Sequence, residues 1–272
     1  MTSQTPDAPP TGASPQFIHL EKLYGNLPGL VDALPAIFGV SPEEYAAIRE
    51  RFDAEARHAA VDLLADPQFA ERVARLPFQR GARILAVGDS ATDDLQSWAE
   101  ILRHVLTIAR PDDDLTVVNG GLSGHTTSMM LRRFSSMLNP APDWIICGLG
   151  TVDVMRFPGG KSQVTLEESI DNLRELRRVA GDRTAAQWIW LTPIPVDDEV
   201  AARSPSPQDR TVSNTDLTAI ADAVRNFDEP VVDLVDVFGV PTHPGLQGPD
   251  GLHPSLAGQK RTVMAVVETI SA

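Results

Sequence analysis

Residues 83–270 predict an α/β fold with a mostly parallel, doubly wound sheet and helices on both faces. Two observations predict it. Short β-rich runs recur at 84–87, 115–118, 144–147, 188–191 and 231–235. Longer stretches at 93–109, 126–138, 165–180, 212–227 and 255–270 separate or follow them, with the spacing of helices. A chain of 272 residues, 42% hydrophobic and 22% charged, is long enough for one such domain plus an extension.

In chain order, residues 1–16 are polar and proline-rich, and a tail without fixed structure is expected there. Residues 17–80 read as a helical extension. Ser41 is placed to cap a helix, with Pro42 at its first position and Glu44 as the partner in a capping box. Tyr45, Ile48, Phe52, Ala59 and Leu63 then recur at near-helical spacing. Asp66-Pro67 restarts the pattern, with Phe69, Val73 and Leu76 as its inner face. This extension carries no recognisable chemistry. Packing on the sheet, a lid, and a homo-oligomer interface all fit it. Residues 81–272 form the sheet-bearing domain. There Thr165 and Glu168 offer a second capping box, and Gly181 a stop for the helix they begin. No internal repeat is present.

Composition narrows the function. The formal net charge of −14 disfavours a nucleic-acid partner, because binding a phosphate backbone needs clustered Lys and Arg. The single Cys147 excludes an intrachain disulfide framework and a multi-cysteine zinc site, and its apolar strand reads as packing. No apolar run reaches the length of a membrane span, and the first residues lack the basic-then-apolar pattern of a secretory signal. A cytoplasmic protein is the expectation.

The chemistry-bearing residues cluster where strands end. "ILAVGDSATDD" places Gly88, Asp89 and Ser90 directly after the first apolar run, with a helix starting within a few residues. Ser90 there can be a nucleophile close to backbone N–H groups, or simply the cap of that helix. "VVNGGLSGHTT" supplies Gly120, Gly121 and Gly124, which let the backbone turn tightly, and His125, which suits a base or a surface loop equally. "GPDGLHPSLAG" sets Asp250 three residues before His253, a spacing that lets a carboxylate orient an imidazole. Such an imidazole takes the proton of a serine nucleophile. The same pair could ligate a metal, but neither HExxH nor a Cys/His cluster accompanies it. Gly-x-Ser-x-Gly, the dinucleotide fingerprint and the Walker loop are all absent.

Gly-Asp-Ser after the first strand, Gly-Leu-Ser-Gly after the second, Gly-Thr-Val-Asp after the third and Asp-Gly-Leu-His before the last helix occur in this order. The arrangement resembles the SGNH/GDSL hydrolase superfamily of esterases and lipases, over roughly residues 83 to 270. The resemblance implies a flavodoxin-like three-layer sandwich with a five-stranded parallel sheet, and a serine esterase needing no cofactor or metal. It implies Ser90 as nucleophile, His253 as base, Asp250 as orienting acid, and the Ser90 and Gly124 amides as oxyanion donors. Family members typically read Gly-x-Asn-Asp in the third block, and the asparagine is a third donor. This chain has Gly150-Thr151-Val152-Asp153. Val152 therefore implies reduced or specialised activity, with Thr151, Asp89 and His125 bordering the substrate, a small-molecule ester or acyl compound. An acyltransferase using the same acyl-enzyme, and a non-catalytic binding protein on this fold, are the alternatives. The polar stretch from Asp197 to Ser213 is expected to border the acyl pocket or to form a surface loop.

Overall fold

A computed structural model describes residues 14–203 and 209–271. Its centre is a five-stranded sheet built of β1 (Arg83–Gly88), β2 (Thr116–Asn119), β3 (Trp144–Gly148), β4 (Gln187–Leu191) and β5 (Val231–Val232). The strands lie in the order β2-β1-β3-β4-β5, and every pairing is parallel. This is the flavodoxin-like order. From β1 the chain goes first to one neighbour and later to the other, so a crevice opens outside the carboxyl ends of β1 and β3.

The helices, in chain order, are α1 (Glu21–Tyr24), α2 (Leu30–Ile37), α3 (Pro42–Leu64), α4 (Pro67–Ala74), α5 (Ser90–Asp93), α6 (Trp98–Ala109) and α7 (Thr127–Met137). After these come α8 (Thr151–Val154), α9 (Leu166–Arg183), α10 (Asp198–Ala201), α11 (Asn214–Val224), α12 (Leu234–Phe238) and α13 (Leu256–Ser271).

Side chains alternate across the pleat of β1 and so feed two separate cores. Ile84 and Ala86 join Ile146, Ile189 and Val232 under α3, α4, α6, α12 and α13. Leu85 and Val87 join Ile145, Cys147, Trp188 and Trp190 under α7, α9 and α11. Cys147 is a buried packing residue of the second core. Burial pushes its thiol pKa up, which keeps it protonated and unreactive.

The helical extension shares the first core. Ala56, Ala59, Ala60 and Leu63 of α3 and Phe69 and Val73 of α4 are buried together with residues of α6 and the sheet. Of the three placements open from sequence, packing into the layered core is the one adopted by α3 and α4. Ser41 accepts from the Glu44 amide and Glu44 returns a bond to the Ser41 amide, completing the capping box.

Three expectations are corrected. The last strand stops at Val232, because Asp233 caps α12 by accepting from the Val235 and Asp236 amides. Gly181 does not stop α9, which runs through it to Arg183. The tail expected over 1–16 lies mostly outside the described residues, but Ser14–Gln16 are described, and Gln16 is tied down. Its Nε2 donates to Asp94 Oδ1 at 3.0 Å, and its carbonyl accepts from the Leu95 amide at 3.2 Å. Among the described residues, no helix is long and apolar enough to cross a membrane.

Candidate active site

β1 ends at Gly88, and Asp89 turns the chain into the single turn of α5. The cap of that turn is Asp89, whose carboxylate accepts from the Ala91 amide at 3.1 Å. Ser90 is therefore the first helical residue, and its hydroxyl is not used in capping. That removes the ordinary explanation for a serine at this position.

The hydroxyl meets a histidine from the far end of the chain. Ser90 Oγ lies 3.0 Å from His253 Nε2 across 163 positions of sequence. His253 Nδ1 lies 2.6 Å from Asp250 Oδ2, so Nδ1 donates and Nε2 is left as the acceptor for the serine. Asp250 is itself held by the Leu252 and His253 amides, each 3.0 Å from Oδ1. The local turn expected of Asp-x-x-His is thus formed, and it aims the imidazole at Ser90.

Charge around the imidazole favours a proton on it. Desolvation works against the charged ring, but the hydrogen bond and charge of Asp250, then the charges of Asp89 and Asp94, raise the His253 pKa above its ordinary value. Asp250 moves the other way. Against the desolvation that would raise it, the hydrogen bond and charge of His253 and two backbone amides bring it down to about 2.

Two amides of these loops lack a backbone partner. Among the described residues, neither the Ser90 nor the Gly124 N–H donates a backbone hydrogen bond. Gly124 has φ of +74°, a conformation that only glycine adopts without strain. The loop bearing it lies tight against α5, and a Cβ on Gly121 would sit 2.7 Å from the Asp93 amide nitrogen.

In the third block, Val152 is buried with 3% exposure. Its carbonyl accepts from Gln163 Nε2 at 2.7 Å, while its side chain offers no donor. Asp153 is wholly buried and structural. Its carboxylate accepts from the Thr127 amide and hydroxyl and from the Ser169 hydroxyl, tying the end of β3 to the start of α7 and to α9. The Thr151 hydroxyl stabilises the Asp89 carboxylate. His125 is half-buried and faces a cleft of about 660 Å³ lined by Lys22, Tyr24, Met129, Arg132 and Arg133. Desolvation, then the charges of Arg133 and Arg132, hold its pKa down. No hydrogen bond ties His125 to the Ser90–His253–Asp250 chain.

The segment after β4 is held to this edge. Thr192 Oγ1 accepts from the Leu234 amide, and Asn214 clasps Val196 through both its amide and carbonyl. The Asp197 amide donates to the Gly251 carbonyl at 2.8 Å, which buttresses the turn carrying Asp250. Of the stretch from Asp197 to Ser213, residues 204–208 lie outside the described residues. No cluster of three or more His, Cys, Asp or Glu suited to a metal occurs among the described residues.

Asp89 carries a stability consequence. Desolvation raises its pKa from 3.8 to about 6, although the Ala91 amide and the His253 charge pull the other way. A folded-state pKa above the unfolded value means that the unfolded chain ionises first. Stability should then fall as pH rises from 3.8 through 6, with the full penalty, about 3 kcal/mol, present above that range. Asp89→Asn keeps an oxygen for the Ala91 amide and cannot ionise. Urea unfolding should show it more stable than the parent at pH 8 and indistinguishable at pH 4. A parent that gains on the variant as pH rises would rule this out.

Sequence reasoning passed over three residues that organise the site. Asp93, Asp94 and Asn119 lie within the blocks already quoted, but nothing local distinguishes a buried hub from a surface acid. Asn119 donates to the Thr92 carbonyl at 2.7 Å and to Glu100 Oε1 at 3.0 Å, joining β2 to α5 and α6.

Known proteins resemble this chain in sequence and in fold. The sequence pattern of the GDSL-like Lipase/Acylhydrolase family matches residues 86–261. Esterase TesA of Pseudomonas aeruginosa is 26% identical over 193 residues, covering 69% of this chain and 87% of its own length. A solved α/β hydrolase enzyme from the metagenome of Lake Arreo, Spain, superposes with a TM-score of 0.59 at 22% identity, covering 72% of this chain and 97% of that one. An acetylxylan esterase from Geobacillus stearothermophilus superposes with a TM-score of 0.57 at 22% identity, covering 71% and 95%.

Proposed function

The chain belongs to the GDSL-like Lipase/Acylhydrolase family and is a carboxylic ester hydrolase; from that premise we propose that it cleaves a small-molecule ester through an acyl-enzyme on Ser90. The observation that carries the proposal is the unbroken hydrogen-bond chain Ser90–His253–Asp250, at 3.0 and 2.6 Å.

In the proposed cycle, Ser90 Oγ attacks the ester carbonyl carbon while His253 Nε2 takes its proton. The carbonyl oxygen becomes an oxyanion, and the Ser90 and Gly124 amides donate to it. His253, now an imidazolium beside Asp250, returns the proton to the departing alkoxide. Water then enters and gives a proton to His253 as its oxygen attacks the acyl carbon; the bond to Ser90 Oγ breaks, His253 returns that proton to Ser90, and the acid leaves. Every step uses the chain's own groups and water.

Val152 sets the expected level of activity. A hole with two amides and no side-chain donor lacks one of the contacts that each contribute about 2.7–4 kcal/mol, or roughly 10²–10³ in rate. A slow or narrowly specific esterase follows from that arithmetic.

Labelling with a fluorophosphonate, which traps activated serines, tests the proposal. Peptide mass spectrometry should find the adduct on Ser90 alone, with loss of hydrolysis of activated short-chain esters in step with labelling. An adduct elsewhere, or turnover that survives full labelling of Ser90, would remove the acyl-enzyme from the account.

A further inference from the structure

Residues 14–22 lie outside the stretch shared with the family, yet they cross the edge where Ser90 and His253 meet. The Phe17 ring packs against the His253 imidazole, with centroids 4.7 Å apart and planes inclined by 33°. On one side of Phe17, Gln16 grips Asp94 and the Leu95 amide. On the other, His19 Nδ1 donates to Asp93 Oδ1 at 2.7 Å, and Lys22 Nζ donates to the same oxygen at 2.6 Å. Lys22 also reaches the Gly121 carbonyl at 3.1 Å and Asn119 Oδ1 at 3.3 Å.

Asp93 makes these contacts part of the site. It is fully buried at the end of α5, three residues after Ser90. Its second oxygen accepts from the Ser123 amide at 2.8 Å and the Ser123 hydroxyl at 2.9 Å. One carboxylate therefore joins the helix of Ser90, the loop ending in Gly124, and the N-terminal segment. The hydrogen bonds and charges of His19 and Lys22 hold its pKa low against desolvation, so the junction stays ionised.

We infer that residues 14–22 are a strap belonging to the active site, in which Phe17 is a positioning residue for His253 and His19 and Lys22 set the Gly124 loop through Asp93. The inference rests on the serine-hydrolase reading above. An imidazole held on one edge by Asp250 can still tilt about that hydrogen bond. An aromatic ring on its face restricts the tilt and keeps Nε2 within reach of Ser90. The same ring shields part of the imidazole, whose side chain stays 25% exposed. The charged groups facing His253 are Asp250 from its own turn, Asp89 from the end of β1 and Asp94 from beyond α5. Phe17 is the apolar counterpart to all three.

The test compares the full-length chain with Phe17→Ala, Phe17→Leu and Phe17→Tyr. For each, kcat and KM are measured on an activated short-chain ester across pH, and His253 is titrated by its imidazole proton resonances in NMR. Phe17→Ala should lower kcat roughly tenfold. It should also move the acidic limb of kcat/KM to higher pH, since lost desolvation favours the imidazolium. Phe17→Tyr should restore both. Phe17→Leu keeps apolar volume if the alanine variant unfolds. It should retain the pH limb but lose the ring-current shift on His253. A kcat and pH limb unchanged in the alanine variant, or a kcat unchanged in the leucine variant where the alanine variant does not fold, would overturn the strap. Because the NMR titration needs no turnover, it reads the Phe17 contact even if Ser90 proves not to be the nucleophile. Failure of the strap and failure of the serine reading are therefore distinguishable.

Discussion

Ser90→Ala is expected to bring hydrolysis of an activated ester down to the level of the uncatalysed reaction plus whatever binding alone supplies. The substitution removes the attacking oxygen and leaves His253 Nε2 with no hydroxyl to deprotonate. In triad enzymes the members act as a unit, and loss of the nucleophile lowers kcat by about 10⁶. With the two amide donors proposed above the starting rate would be smaller, so a fall of at least about 10³ is expected. The fold should be indifferent, since among the described residues the hydroxyl's one partner is His253 and changes away from packing or buried networks stay within about 0.5 kcal/mol. Parallel rates and urea midpoints for parent and variant make the check. A variant that keeps its fold and most of its rate would show that another group performs the attack.

Asp250→Asn should cost kcat about 10³ to 10⁴ while leaving the turn intact. An asparagine can keep its oxygen on the Leu252 and His253 amides. Its NH₂ then faces Nδ1, which turns Nδ1 into an acceptor and moves the imidazole proton to Nε2. A protonated Nε2 cannot take the Ser90 proton. Losing the carboxylate also removes the chief influence raising the His253 pKa. In the parent, activity should rise with pH through a value above that of an ordinary histidine, because the base works only when neutral. In the variant that limb should move to lower pH on a much lower plateau. A pH–rate profile that shifts upward, or a kcat within tenfold of the parent, would argue that Asp250 does not orient His253.

Much of this site was legible because its parts are local. Gly88-Asp89-Ser90 follows an apolar run, and Asp250 and His253 sit three residues apart, so strand end, turn and dyad can all be read from short windows. The capping box at Ser41 and Glu44, and the inner face Phe69, Val73 and Leu76, were readable for the same reason. The fifth strand reads too long because four of the five residues from Val231 to Val235 are apolar, and the cap supplied by Asp233 competes with strand propensity only once Thr192 and α12 are in place. Gly181 looked like a stop, yet α9 holds Leu176 and Ala180 in the second core, and this packing outweighs the roughly 1 kcal/mol preference against an internal glycine.

What the sequence alone determined was the alternation of strands and helices, the strand ends that carry Ser90, Gly124 and Asp250–His253, and a side chain without a hydrogen-bond donor at Val152. Those follow from periodicity and chemistry within a few residues. Only the tertiary structure decided that Asp89 rather than Ser90 caps α5, that α3 and α4 complete one face of the sheet, and that Asp93 joins three segments. It alone laid Phe17 on His253. The Asp93 and Phe17 contacts join residues 30 to 236 positions apart. No local pattern encodes which buried carboxylate will meet which distant donor; that is settled when the layers pack and each buried charge must find its partner.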